Sequence, residues 1–284
     1  LGYRLAAGFD LFKNQTSSDD YYDYSEEGGS LRVTAPITEN LATTLRYNYK
    51  QLHYDGTNDW QHNLSLPYQN LVENGPWTQS SVSQTFTYNT LDDQNLPREG
   101  IIWKITHEFA GLGGDSDFYK ISGKARIYKS INDEADIIGS LTVGAGYVIP
   151  TNDNLNVFDQ FMIGGREIRG FENAGIGPRT SNGDALGGTT YFTASAEATM
   201  PMPGIPQDIG LRAAVFADAG TLYGNKADLF GDILHNDSSI RASLGAGLIW
   251  ASPFGVIRVD YAVPVMKEDY DKTQNFRFGI ANQF

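Results

Sequence analysis

The 284-residue sequence contains no cysteine, which excludes disulfide scaffolds, iron–sulfur sites and cysteine-ligated zinc. Basic residues are scarce, 21 against 34 acidic ones, for a formal charge of −13. A chain so short of Lys and Arg lacks the footprint that a phosphate backbone requires, so nucleic acid is not its expected partner. Long hydrophobic runs are missing as well. Charge-free stretches such as 242–257 are broken by glycine or carry a proline, short of the ~18–20 apolar residues of a membrane-spanning helix. The head of the chain, Leu1-Gly2-Tyr3-Arg4, has neither the charged start nor the apolar core of a signal peptide, so either the mature protein begins here or sequence lies upstream. Almost no segment repeats apolar residues at helical spacing.

What the sequence does contain is alternation with a period of two from end to end, the mark of an all-β chain. In 275–284, Phe276, Phe278, Ile280 and Phe284 share one face, with Asn282 the exception, while Arg277, Gly279, Ala281 and Gln283 share the other. Ile257, Val259, Tyr261 and Val263 likewise oppose Arg258, Asp260 and Ala262, and Ala242, Leu244, Ala246, Leu248 and Trp250 oppose Arg241, Ser243, Gly245 and Gly247. In 117–130, Tyr119, Ile121, Ala125 and Ile127 oppose Lys120, Ser122, Lys124 and Arg126. Three cations on one strand face are hard to place in the dry core of a soluble sandwich, whose apolar side packs inward. A membrane barrel turns the same pattern around, with apolar residues toward lipid and polar ones toward a wet lumen. The apolar faces are rich in Ala and edged by Trp and Tyr, which suits lipid. The mean hydropathy of −0.34 is then what lipid-facing alternation dilutes to when half of each strand and all the loops are wet.

The predicted fold is a transmembrane antiparallel β-barrel domain over 1–284, with twelve strands of roughly 10 to 14 residues. They are expected at 1–12, 28–37, 41–54, 81–91, 100–110, 117–130, 137–149, 188–201, 209–222, 240–252, 255–264 and 275–284. Long connections at 13–27, 55–80, 150–187, 223–239 and 265–274 alternate with short ones at 38–40, 92–99, 131–136, 202–208 and 253–254. Only 111–116 is a short member of the long set. Long extracellular loops opposite short periplasmic turns are the pattern of an outer-membrane barrel. Turn residues at 36–40, 201–207 and 252–255 fit the short set.

The connection 150–187 carries Phe161-Met162-Ile163-Gly164-Gly165-Arg166-Glu167-Ile168-Arg169-Gly170-Phe171, followed by Ile176-Gly177-Pro178. Here the sequence resembles the BamA family of outer-membrane β-barrel assembly factors, and with it the superfamily that includes the two-partner secretion transporters. Further matches are Tyr88-Asn89-Thr90-Leu91-Asp92 with Pro97 and Gly100, Leu186-Gly187-Gly188 leading to Ser195-Ala196-Glu197, Phe216 to Thr221, Trp250 to Gly255, and the terminal Phe284. The resemblance covers essentially the whole sequence. It implies that 150–187 is a long extracellular loop that folds back into the lumen, and that Arg169 of the Ile-Arg-Gly-Phe motif, with Gly170 and Phe171, contacts Glu197 and Asp218. Strand parity independently turns both carboxylates inward on neighbouring strands. A guanidinium can bridge two carboxylates where a Lys cannot. Gly164, Gly165 and Gly170 are expected to allow the tight path, and lumen-facing Gly144, Gly146, Gly245 and Gly247 to make room for it.

The resemblance also implies a function: insertion of other β-barrel proteins into the outer membrane, with unfolded outer-membrane proteins as substrates. The family's barrel has sixteen strands and a weak seam between first and last, where an incoming strand adds to the edge. The seam residues here would be Phe276, Phe278, Gly279 and Phe284, with Gly279 helping the last strand bend. Leu1 aligns with the family's fifth strand, so four strands and the periplasmic POTRA domains that recruit partner lipoproteins are expected to be absent. Lipid and lipopolysaccharide are the expected surroundings. No cofactor or metal is implied. Asp19, Asp20 and Asp23, or Asp133, Glu134 and Asp136, lack the spacing of a calcium loop. No enzyme activity is expected, because none of His53, His62, His107 and His235 has a Ser and a carboxylate at a spacing that the register would unite. A porin or a polypeptide exporter of the two-partner secretion type remains the alternative. Conductance discriminates, since a barrel plugged by its loop passes little current.

Overall fold

In a computed structural model, residues 5–19, 21–57, 59–152, 155–227, 233–252 and 255–280 are described. The strands are β1 (Ala6–Asp19), β2 (Tyr22–Pro36), β3 (Leu41–Gly56), β4 (Trp77–Asn89), β5 (Gly100–Gly114), β6 (Phe118–Asn132), β7 (Ile137–Pro150), β8 (Gly170–Phe171), β9 (Thr190–Pro201), β10 (Leu211–Tyr223), β11 (Arg241–Ser252), β12 (Gly255–Met266), β13 (Thr273–Gln274) and β14 (Phe276–Ile280). All but β8 and β13 form one 12-stranded antiparallel sheet in sequence order. The two short strands pair with each other as a separate two-stranded sheet. Among the described residues β1 pairs only with β2 and β14 only with β12, so the sheet has two free edges. Phe284, expected at the seam, and the tip of the 252–255 turn lie outside the described residues.

Alternation decides which side of each strand meets which solvent. Phe9, Leu11, Leu31, Leu45, Leu141, Phe192, Leu244, Tyr261, Phe276 and Phe278 are all exposed on the outer face. Such a belt of apolar side chains is stable only against lipid. Aromatic residues edge it. Tyr88 stacks on Trp103 at the periplasmic side, with ring centroids 5.7 Å apart, and Trp250 donates from Nε1 to the Ile209 carbonyl.

The buried core therefore lies inside and above the sheet. One cluster joins Leu64, Tyr68 and Leu71 to Val157 and Leu186, and a second joins Ile163, Ile168, Phe171 and Ile176 to Leu222 of β10. The connection after β3 holds two short helices, α1 (Trp60–Asn63) and α2 (Leu66–Glu73). Pro67 sits in the first turn of α2, where its missing N–H costs nothing. Tyr68 and Leu71, one turn apart, face the loop 150–187, and the Tyr68 hydroxyl donates to the Ala185 carbonyl at 2.7 Å.

The ends of several strands correct the sequence expectation. Residues 13–27 are not a long loop: β1 and β2 continue as a paired ribbon, with Lys13 donating to Glu27 at 2.7 Å and the Tyr24 hydroxyl to Glu26 at 2.8 Å. Polar residues on both faces hide a strand from a hydrophobicity test, although ladder bonds and cross-strand pairs hold it. In the same way β4 starts at Trp77 and β5 runs to Gly114, where Gly111, Gly113 and Gly114 adopt positive φ beside a register shift.

Candidate functional site

Adjacent strands β9 and β10 present Ser195, Glu197, Phe216 and Asp218 to the lumen, with Phe216 opposite Glu197 and Asp218 opposite Ser195. The loop between β7 and β9 brings Arg169 onto this patch. Its Nε donates to Asp218 Oδ2 at 2.7 Å and its Nη2 to Asp218 Oδ1 at 2.7 Å. Nη1 donates to Glu197 Oε2 at 2.6 Å, Nη2 also to Ser195 Oγ at 3.0 Å, and the backbone N–H to Asp218 Oδ2 at 3.0 Å. Below, the guanidinium carbon lies 3.3 Å from the centre of the Phe216 ring, a cation–π stack. Burial disfavours the Arg169 charge, and Asp218 and Glu197 more than offset that, so its pKa moves up and the group stays protonated at every pH of interest.

Four residues of this hub were not assigned from the sequence. Arg258 of β12 donates from Nη1 to Glu197 Oε1 at 3.1 Å, from Nη2 to Oε2 at 2.5 Å, and from Nε to Asp260 at 2.7 Å. Glu197 thus takes two guanidinium groups, one from the loop and one from the wall. Parity already turned Arg258 and Asp260 inward; what it lacked was their proximity to β9, three strands away, which only the curl of the sheet provides. Ser195 and Phe216 carried the same parity signal. Arg212, inward on the same strand as Asp218, does not join the hub: with Arg98 it flanks Asp136 at the periplasmic turn.

The motif's other members have separate tasks. Phe171 is 1% exposed in the loop's own apolar cluster. Gly170 has φ +93° and lies where a methyl group would come 3.3 Å from Pro264 and Ser243. At Gly164 a methyl would overlap the Glu172 carbonyl, and at Gly165 the Arg277 guanidinium and the Phe171 carbonyl. The wall glycines depart from expectation. Of the four named, Gly146 makes room for a loop side chain, Phe161, while Gly144, Gly245 and Gly247 make room for the wall residues Thr193, Phe216 and Asp260; Gly220 of β10, not expected from the sequence, makes room for the loop's Ile168. At Gly279 a methyl would meet nothing within 4 Å, so no close approach calls for glycine there. Phe276 and Phe278 point outward, opposite Tyr261 and Val259 of β12.

A further anchor fixes the start of the loop. Asp159, 2% exposed, accepts from the Ser116 hydroxyl at 2.9 Å and from Asn156 Nδ2 at 3.2 Å. Burial pushes its carboxyl from the ordinary 3.8 up to about 6, against the pull of Ser116 and nearby Lys120. Among the described residues no group of three or more His, Asp or Glu side chains is arranged to hold a metal. The arrangement holds the loop segment against the barrel wall.

The Omp85 superfamily domain matches residues 1–284. The outer membrane protein assembly factor BamA of Neorickettsia risticii (strain Illinois) is 34% identical over 284 residues, 99% of this chain and 37% of that protein. The chain thus spans little more than a third of that relative. Among solved structures, BamA from Haemophilus ducreyi lacking POTRA domains 1–3 superposes with a TM-score of 0.80 at 23% identity, over 96% of this chain and 58% of the other. CdiB from Acinetobacter baumannii shares the fold with a TM-score of 0.60 at 14% identity, over 96% of this chain and 46% of the other. An apolar outer face, a polar lumen and these relatives make the chain an integral outer-membrane β-barrel chain. With a family match along its whole length and a relative of such identity over nearly all of it, the chain belongs to the Omp85 superfamily.

Proposed function

We propose that this chain is barrel wall from the core subunit of an outer-membrane protein assembly machinery, which folds β-barrel proteins and inserts them through a lateral seam. The observation that carries the reading is the Arg169 hub, in which one loop arginine is bound by Asp218, Glu197 and Ser195 of the wall. Such a fastening holds a plug across the lumen, which leaves the edges of the sheet rather than the pore as the working surface. Unfolded outer-membrane proteins would be the substrates, with lipoprotein subunits recruited through periplasmic domains of the longer protein. The role is non-catalytic. In its support, His62 of α1 pairs with Asp59 at that helix's start, His107 with Tyr119 on the outer face, and His235 stacks on Tyr270.

The test is reconstitution of the full-length protein in liposomes, with an unfolded outer-membrane protein added and its folding followed by heat-modifiable migration on gels. Wild type is expected to accelerate folding, and Arg169→Glu to lose at least tenfold in rate while exposing 150–187 to protease. Full rate together with an unchanged protease pattern in that variant would remove the basis of the reading.

A further inference from the structure

A second buried ion pair stands at the extracellular end of β11. The side chains of Arg241 and Asp271 are both 0% exposed. Arg241 donates from Nε to Asp271 Oδ2 at 3.0 Å and from Nη2 to Oδ1 at 3.3 Å, a forked pair. Two more donors go to the Ser239 carbonyl at 2.8 Å and the Tyr270 hydroxyl at 2.7 Å. Asp271 Oδ2 also accepts from the Glu268 N–H at 2.8 Å, so the same carboxylate closes the turn between β12 and β13.

The residues that leave this turn run directly along the latch loop. The Glu172 N–H donates to the Lys272 carbonyl at 3.0 Å, and the Lys272 N–H to the Gly175 carbonyl at 2.9 Å. Thr273 then pairs with Phe171, and Gln274 with Gly170, the neighbour of Arg169. One residue further on, the Asn275 carbonyl accepts from the Ala262 N–H at 2.8 Å, and β14 begins. Direct bonds therefore run without a gap from Arg241 through Asp271, β13 and β8 to Arg169 and its carboxylates, with β14 attached to the middle of the chain of contacts. Among the described residues, β14 pairs with β12 from Ile257↔Ile280 to Tyr261↔Phe276.

We propose that Arg241 and Asp271 form a second clamp, which fastens the loop in front of β14 to the latch loop and so makes the extracellular end of the last strand part of the same body as the lumen latch. Both are positioning residues, since neither touches Arg169, Glu197 or Asp218. A buried forked pair suits this task because losing either partner strands a charge in a dry site, which makes the fastening close to all-or-none. The clamp stands on geometry alone. Its functional consequence, that latch release and movement of β14 are coupled, rests on the assembly reading above.

Hydrogen exchange on the full-length protein in lipid nanodiscs tests it, with Arg241→Glu, Asp271→Arg and the double variant that swaps the charges. Each single variant is expected to speed exchange in segments 170–175 and 271–275 at least tenfold, and the swap to restore most of the protection. The Arg169 N–H, bonded to Asp218, should keep its protection throughout. Where a charge reversal prevents folding, Arg241→Gln and Asp271→Asn are read in the same way. Unchanged exchange in both segments in the single variants overturns the clamp, as does loss of protection that spreads evenly over β9 and β10. Loss confined to the two segments with wild-type insertion activity leaves the clamp standing and removes only its link to assembly.

Discussion

Arg169 shows what a guanidinium does that an ammonium cannot. Its guanidinium makes four hydrogen bonds, to Asp218, Glu197 and Ser195, while its face lies on Phe216. A Lys at this position would supply the charge but reach only one carboxylate at a time. Arg169→Lys is therefore expected to behave closer to Arg169→Glu than to wild type. Removing one partner of a buried pair costs about 3–5 kcal/mol, and limited proteolysis of 150–187 reads that loss; a Lys variant as resistant as wild type would show that charge alone suffices. Asp159 supplies the pH test. Its carboxyl titrates near 6 in the docked loop against 3.8 when free, so docking binds a proton. The sign follows: the contribution of Asp159 to docking is complete below about pH 4 and is lost as pH rises through 6, with Lys120 and Lys50 as the nearest cations. Wild-type loop protection should fall between about pH 4 and 6, and Asp159→Asn should flatten that dependence. The latch itself was legible from the sequence because parity fixes a face and the motif fixes the arginine. Arg258 was not, because a period of two says nothing about which inward residues a curled sheet brings together from strands three apart.

At the scale of elements, strand identity follows from period and length, and the twelve strands of the sheet fall where alternation places them. What escaped the sequence was structure without an apolar face. The upper half of the β1–β2 ribbon is polar on both sides, and α1 and α2, at 4 and 8 residues, are too short for a helical period to register within a polar loop. The loop 150–187 is an element in its own right, with an apolar cluster and glycines that let its strands of chain cross closely. Gly164→Ala would drive a methyl group into the Glu172 carbonyl, an overpacking cost of about 1–3 kcal/mol that the loop has to absorb by leaving its seat. Gly279→Ala in β14, with open space around it, is expected to be neutral or slightly stabilising, against the sequence expectation that this glycine shapes the last strand. Thermal loss of heat-modifiable migration compares the two: a lower midpoint for Gly164→Ala and an unchanged one for Gly279→Ala are expected, and the reverse order would contradict the packing seen here.

For the molecule as a whole, the inversion of inside and outside explains why a chain with net charge −13 and mean hydropathy −0.34 is a membrane protein. Lipid takes the place of the core for the outer face, and the real core is the plug: Ile163, Ile168, Phe171 and Ile176 against Leu222, with Leu64, Tyr68 and Leu71 packed on Val157 and Leu186 above it. On the proposed reading this placement distinguishes a plugged assembly barrel from a pore, because ions follow water and a lumen filled by a packed loop offers little. The full-length protein in a planar bilayer is therefore expected to show low, intermittent conductance. Replacing residues 160–180 by a flexible Gly/Ser segment of equal length removes the Arg169 fastening and the apolar cluster together, and should raise the steady conductance at least tenfold. Arg169→Glu should fall between the two, because the cluster around Phe171 and the pairing of β8 with β13 remain to hold the loop part of the time. A large, steady wild-type conductance that the replacement leaves unchanged would mean that the loop does not obstruct the lumen in the membrane. The chain would then function as a pore or exporter with the Arg169 hub as a wall brace.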